Sequence, residues 1–298
     1  MFDEARQHLL TLRDWLRYAV SRFNGAGLVF GHGTTNAHDE AAYLILHSLH
    51  LPIDRLEPYL DARLTPHEME RLAQVLHERI HRRRPAPYIT HEAWLQGFRF
   101  YVDERVIVPR SYLAPLILEH FRPWLDAPER VGRALDLCTG SGCLAILLAH
   151  AFPEATVDAV DLCADALEVA RRNVVEHGLA DRVHLIESDL FGALAGERYD
   201  LIVANPPYVD APSMAALPPE YRHEPRLALA AGEDGLDLVR RILAEVAEHL
   251  NPGGWLAVEI GHNRPTLEAA CPALPLIWPE VEGGEDSVFL IPRKTLFP

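Results

Sequence analysis

The loop Asp136-Leu137-Cys138-Thr139-Gly140-Ser141-Gly142 has the residue types of a ligand-cradling turn, and Asp161 lies roughly twenty residues beyond it. Gly140, Gly142 and Ala145 satisfy the G-x-G-x-x-G/A spacing by which a strand turns tightly into a helix and lets backbone approach a ligand. Charge decides which ligand. Asp136 beside the turn would repel a pyrophosphate and attract a cation. S-adenosylmethionine has no phosphate and carries an ammonium and a sulfonium, so it suits this loop better than a dinucleotide does. Asp136, Cys138, Thr139, Gly140, Ser141 and Gly142 are therefore expected to cradle it, with Asp161 holding ribose hydroxyls beside Leu162. Asp189 would accept from the adenine amino group, with Leu190 and Phe191 against the ring. The plainer alternatives are a bare tight turn for the glycines and a helix cap for Asp189.

The second group is Asn205-Pro206-Pro207-Tyr208, which follows the apolar run Leu201 to Ala204. An amide nitrogen is a poor nucleophile because its lone pair is delocalised into the carbonyl. The Asn205 side-chain oxygen and the Pro206 carbonyl can accept the two N–H bonds of such an amide and aim the lone pair at a methyl donor. Two prolines stiffen the loop so that little ordering entropy is lost on binding. Pro207 and Tyr208 complete the acceptor site, Tyr208 by stacking on the planar group, and Asn205 also reaches the cofactor. No general base is required, because a methylated amide is acidic enough to release its proton to water. By itself the tetrapeptide reads as an ordinary turn. Its place after a strand, downstream of the Asp136 loop, makes it a site.

A third group imitates a metal site. His77-Glu78-Arg79-Ile80-His81 matches H-E-x-x-H, yet Arg79, Arg82, Arg83 and Arg84 surround the would-be cation and no third ligand is evident. No metal is expected there. The run reads instead as the cationic last turn of an exposed amphipathic helix, and His81 to Arg84 as a solvated helix end or a contact to ribosomal RNA or an acidic substrate.

The elements that must position these groups fall into two parts. Apolar periodicity predicts helices over about Asp3 to Phe23 and Ala37 to His50, and Thr65-Pro66-His67-Glu68 has the order of a capping box, starting a helix that runs to about Arg83 before Pro85 and Pro87. A hairpin-like connector follows from Tyr88 to Val108, with strands at Ala93 to Leu95 and Phe98 to Val102. The expected division is a helical substrate-recognition domain over 1–87, the connector over 88–108 and a catalytic domain over 109–298. In the last part apolar runs alternate with helical patterns, which predicts an α/β, Rossmann-like, seven-stranded and mostly parallel sheet. Its strands are expected at Arg133 to Leu137, Thr156 to Leu162, Val183 to Glu187, Leu201 to Ala204, Trp255 to Ile260, Leu276 to Trp278 and Ser287 to Ile291. Ala164 to His177 reads as a helix stopped by Gly178.

Composition narrows the partners. The 298 residues carry a formal charge of −15, against a chain that works by gripping phosphate backbones and in favour of a basic protein partner. No apolar stretch approaches the roughly 20 residues of a membrane span, the start lacks a secretory core, and four cysteines form no disulfide framework. A cytoplasmic protein with no membrane association and no stable nucleic-acid binding is expected.

These residues resemble the protein N5-glutamine methyltransferases (HemK/PrmC-like). The likeness runs through the helical part, Val108-Pro109-Arg110, the glycine loop, N-P-P-Y and Gly283-Gly284. Ser111-Tyr112-Leu113 after Arg110, the Asp-Leu-Cys-Thr-Gly-Ser-Gly loop and Leu217-Pro218-Pro219-Glu220-Tyr221-Arg222-His223-Glu224-Pro225 look like the PrmB-type branch rather than the release-factor branch. The resemblance implies a class I SAM-dependent methyltransferase fold, S-adenosyl-L-methionine as cofactor, and N5-methylation of a glutamine in the third large-subunit ribosomal protein, before or during ribosome assembly. It implies that Asn205, Pro206, Pro207 and Tyr208 bind the glutamine, and that the N-terminal helices help recognise the substrate. Tyr112 and Pro115 depart from the family pattern, and Pro115 should shorten or kink its helix. Three alternatives stay open: a release-factor substrate, an exocyclic amine of RNA or DNA, and an assembly factor that binds without catalysis.

Overall fold

A computed structural model describes residues 2–296. The chain divides into two units, Met1–Ala93 with Leu217–His223, and Trp94–Ala216 with Glu224–Pro298. The expected connector is thereby split between them, and a seven-residue excursion from the C-terminal half belongs with the helical unit.

The first unit is built from α1 (Asp3–His8), α2 (Leu12–Gly25), α3 (Ala37–Ser48), α4 (Pro66–His81) and α5 (Ala86–Thr90). The single helix expected from Asp3 to Phe23 is broken. Thr11 adopts an extended conformation, its hydroxyl accepts from Asp14 N–H, and the Asp14 carboxylate accepts from Thr11 N–H at 3.0 Å, so a capping box starts a new helix inside the apolar run. Thr65 and Glu68 make the expected capping box at the start of α4. The apolar stripes meet around Trp15, Phe23, Leu44, Ile45 and Leu72.

Arg79 corrects the reading of the H-E-x-x-H run. It is not part of an exposed face but is buried, with Nε 2.5 Å from Glu40, Nη1 3.4 Å from Glu220 and Nη2 2.9 Å from the Val29 carbonyl. Glu220, fully buried, also accepts from Arg83 at 3.1 Å and from Val29 N–H at 3.1 Å. The cationic end of α4 thus anchors the 217–223 excursion from within, as a buried charge must be paired to be tolerated.

The second unit opens at Trp94, inside a hairpin whose strands are β1 (Ala93–Leu95) and β2 (Phe98–Phe100), and α6 (Leu113–Leu118) follows. Pro115 lies in the first turn of α6, where its missing N–H has no intrahelical partner to lose, and the helix is only six residues long. Then come β3 (Arg133–Leu137), α7 (Cys143–Ala151), β4 (Thr156–Asp161), α8 (Ala164–Glu176), β5 (Val183–Glu187), β6 (Tyr199–Ala204), α9 (Ala211–Ala216), α10 (Asp237–His249), β7 (Leu250–Glu259), α11 (Arg264–Ala270) and β8 (Val288–Pro292). The sheet order is β5-β4-β3-β6-β7-β8, parallel except for β7 with β8. The seventh strand is not formed among the described residues. Leu276 to Trp278 is flanked by Pro275 and Pro279, which cannot donate to a ladder, and only Ile277 makes an isolated antiparallel bridge to Leu290.

Two apolar layers cover the sheet. One centres on α7, buried from Cys143 to Ala149, against Ala134, Val157, Leu201 and Val203. The other packs α10 through Val239, Ile242 and Val246 against Leu135, Ile202, Leu256 and Phe289. Strand order reverses at β3, between β4 and β6, which is where open α/β sheets bind ligands beyond the strands' C-terminal ends.

Candidate active site

At that switch point Leu137 of β3 pairs with Ala204 of β6, so Cys138 and Asn205 leave the sheet side by side. Both line an open cleft of about 830 Å³. Gly140, Asp161, Leu162, Asp189, Leu190 and Pro207 line it too. Asp136, Thr139, Ser141, Gly142, Pro206 and Tyr208 do not line it.

Asp136 lies wholly inside. Its Oδ2 accepts from the Thr139 hydroxyl at 2.6 Å and from Ala145 N–H at 3.0 Å, which ties the loop to the first turn of α7, while its Oδ1 is buried without a partner among the described residues. Burial pushes its carboxyl up to about 7, opposed by those two hydrogen bonds and helped by nearby Asp161. Gly140 and Gly142 have positive φ, 55° and 79°. A Cβ on Gly142 would stand 3.2 Å from the Ala170 methyl, so the loop packs closely on α8. Asn173 of α8 holds the Ser141 carbonyl at 2.9 Å. Cys138 takes φ 61° without being glycine, a strained choice, and burial raises its thiol pKa far above the ordinary value.

Asp161 accepts Gly140 N–H at 2.8 Å through Oδ2 and Cys163 N–H at 2.9 Å through Oδ1, and burial raises its pKa. It shapes the glycine turn and faces the cleft. Asp189 also faces the cleft, but its half-exposed carboxylate holds Arg241 at 3.0 Å. Phe191 is placed differently from expectation. It is buried away from the cleft and stacked on His249, ring centroids 4.4 Å apart and 7° from parallel, so only Leu190 of that pair remains to meet a ring.

The tetrapeptide Asn205-Pro206-Pro207-Tyr208 is pinned from behind. Tyr208 donates to Glu259 at 3.2 Å, its carbonyl accepts from Asn263 at 2.7 Å, and its ring lies so near Gly261 that a Cβ there would sit 2.6 Å from it. Glu259, the buried end of β7, also accepts from the Ser111 hydroxyl at 2.5 Å and from Tyr112 N–H at 2.9 Å, and burial raises its pKa. Tyr208 is thus an anchor for the loop, not a wall of the cleft. The Asn205 amide, by contrast, makes no hydrogen bond to the described residues and lines the cleft beside Pro207. The Tyr112 ring covers Gly284, where a Cβ would meet it at 2.3 Å, which accounts for glycine at that position.

Sequence reading missed several contributors, among them Arg105, Val106 and Ile107 before the Val108-Pro109-Arg110 element, Pro225, Leu227 and Ala228 on one turn, and Leu238 of α10. None sits in a ligand motif, and only folding brings them to the strand ends.

The donor set fits S-adenosylmethionine. Among the described residues a buried carboxylate oxygen of Asp136 lacks a partner under the loop, Asp161 and Asp189 face the cleft, Arg105 borders it, and the remaining wall is largely apolar. Residues 114–216 match the methyltransferase small domain. The chain is 59 % identical to a ribosomal protein uL3 glutamine methyltransferase of Neisseria gonorrhoeae, covering 99 % of each chain. It is 56 % identical to one of Bordetella pertussis, again over 99 % of each. Among solved structures, the hMettl16 catalytic domain shares the fold with a TM-score of 0.51 at 16 % identity, over 75 % of this chain and 80 % of that one. The fold is that of the class I methyltransferases, and the cofactor is S-adenosylmethionine. Because identity above one half extends over practically the whole length of the relatives, helical part included, this chain belongs to the family of ribosomal protein uL3 glutamine methyltransferases.

Proposed function

We propose that the chain transfers a methyl group from S-adenosylmethionine to the side-chain amide nitrogen of a glutamine in ribosomal protein uL3, giving N5-methylglutamine. The observation that carries this reading is the unpartnered amide of Asn205 in the same cleft as Gly140 and Asp161. When bound, S-adenosylmethionine supplies an electrophilic methyl on a sulfonium.

Asp161, Leu162 and Leu190 hold the adenosine half, and Asp136 sets the loop that receives the cationic half. Cys138 and Gly140 supply its wall, Thr139, Ser141 and Gly142 hold the loop in shape behind them, and Asp189 borders the adenine end. The Asn205 side-chain oxygen and the Pro206 carbonyl accept the two N–H bonds of the target amide and turn its lone pair toward the methyl group. Pro207 closes the side of that slot, and Tyr208 holds it still through Glu259 and Asn263. No side chain need take a proton, since the methylated amide gives its own to water. The helical unit contributes substrate recognition, and an acidic chain suits a basic ribosomal protein met before or during assembly in the cytoplasm.

Two measurements test this. Asn205→Ala should lower kcat by roughly 100-fold or more, the scale for losing one aligned acceptor-site group, with little change in cofactor affinity. Retention of most of the rate would end the acceptor assignment. Labelled cofactor incubated with separate pools of ribosomal proteins, release factors and RNA should mark uL3. Label confined to RNA or to release factors would reject the substrate.

A further inference from the structure

The cleft has a wall that the sheet does not supply. It consists of Val106 and Ile107 on one segment and Pro225, Leu227 and Ala228 on another. The second segment is a short 3-10 turn, Arg226–Ala228, and Leu227 on it is 59 % exposed. A leucine left half in water on a free loop would need no explanation. This turn is not free.

At its start Glu224, 4 % exposed, accepts from Val108 N–H at 2.9 Å and from both guanidinium ends of Arg110, at 2.5 and 2.7 Å. One buried carboxylate therefore joins the two lining segments to each other through a bidentate pair, the strong form of such a bond. At its end Val209, the residue after Tyr208, forms a parallel bridge with Ala230: Val209 N–H donates to the Leu229 carbonyl and Ala231 N–H to the Val209 carbonyl, both at 2.9 Å. Leu229 itself is buried. The turn is fixed at one end to Val108 and Arg110 and at the other to the acceptor tetrapeptide, and between these anchors it presents an exposed leucine to a ligand cleft.

We propose that Pro225 to Ala228, with Val106 and Ile107, is a fixed roof for S-adenosylmethionine, in which Leu227 covers the bound cofactor and Glu224 with Arg110 positions the roof. Leu227 loses its exposure only when the cofactor is seated, so its apolar surface adds to affinity for the cofactor and not to the stability of the empty fold. Because the same turn is bonded to Val209, the roof also sets the spacing between cofactor and acceptor loop. This inference rests on the cleft being the cofactor site.

Calorimetric titration of the full chain with S-adenosylhomocysteine tests it. Leu227→Ala should weaken binding roughly fivefold, the effect of about half a leucine's burial, with an unchanged melting temperature. Val175→Ala, which trims an apolar residue of α8 that is 61 % exposed and outside the cleft, should leave binding as it was. Glu224→Gln should weaken binding at least as much as Leu227→Ala while the chain stays folded. Wild-type affinity in Leu227→Ala would overturn the roof, whatever Glu224→Gln does. Asp161→Ala separates the two ideas: if it loses binding while Leu227→Ala does not, only the roof falls; if it binds like wild type, the cleft reading falls and the roof with it.

Discussion

Replacing Arg79 by methionine should cost about 3–5 kcal/mol of stability, the scale for removing one partner from a buried ion pair. The magnitude follows from what is left behind. Arg79 and Glu40 are each 1 % exposed and Glu220 is fully buried, so no water can replace the guanidinium. Among the described residues Glu40 would keep only the Thr34 hydroxyl at 3.0 Å as a side-chain partner, while Glu220 would retain Arg83 and the Val29 N–H. Methionine preserves much of the apolar stem, so the loss reports on charge and not on volume. Such a change consumes a large part of the roughly 5–15 kcal/mol that separates folded from unfolded protein. Urea denaturation followed by circular dichroism would measure it. The double variant Arg79→Met with Glu40→Met should recover most of the loss, because the orphaned charge goes with its partner. A single-variant loss below about 1 kcal/mol, or a double variant no better than the single, would refute a buried and mutually dependent pair.

Three further outcomes follow from the site. Asp136 has a folded-state pKa of about 7 against an ordinary 3.8, so in the empty protein its stabilising contribution is present below 3.8 and is lost as pH rises through 7. A bound cation favours the carboxylate, so S-adenosylmethionine affinity should rise about tenfold between pH 6 and pH 8, read by calorimetry; a wild-type slope in Asp136→Asn would assign the titration elsewhere. Gly261→Ala places a methyl 2.6 Å from the Tyr208 ring at φ 55° and should cost about 1–3 kcal/mol with a fall in kcat; unchanged melting and turnover would show that Tyr208 does not hold the acceptor loop. Cys138→Val, β-branched at φ 61°, should lose about 1–2 kcal/mol while Cys138→Gly loses little or none; equal losses in chemical denaturation would remove the strain argument.

What could be read before folding was local. The apolar and β-branched runs located β3, β4, β5 and β6, Thr65 with Glu68 located the start of α4, and charge beside the glycine turn chose the cofactor. The break at Thr11 was equally local but was masked by apolar spacing that continued through it. The remaining differences depended on partners far along the chain. Arg79 is buried by Glu40 and by Glu220, 141 residues away. Phe191 is drawn from the cleft by His249, and Asp189 is engaged by Arg241. Tyr208 is turned to an anchoring task by Glu259, Asn263 and Gly261, none of which a motif announces. Asp136 was found by its charge, yet its depth beneath the loop came from α7 closing over it.

The attachment of the acceptor loop to β7 bears on how the chain comes off the ribosome. Asn205 is synthesised some fifty residues before Glu259 and Asn263, and β6 needs β7 as its second neighbour. A nascent chain that ends before residue 250 can pair β6 with β3 but has nothing to fix Tyr208. Such pairings, distant in sequence, are made late because the loop-closure entropy must be met first. The loop that carries Asn205 is therefore held in place only after Glu259 and Asn263 have been made and β7 has docked beside β6.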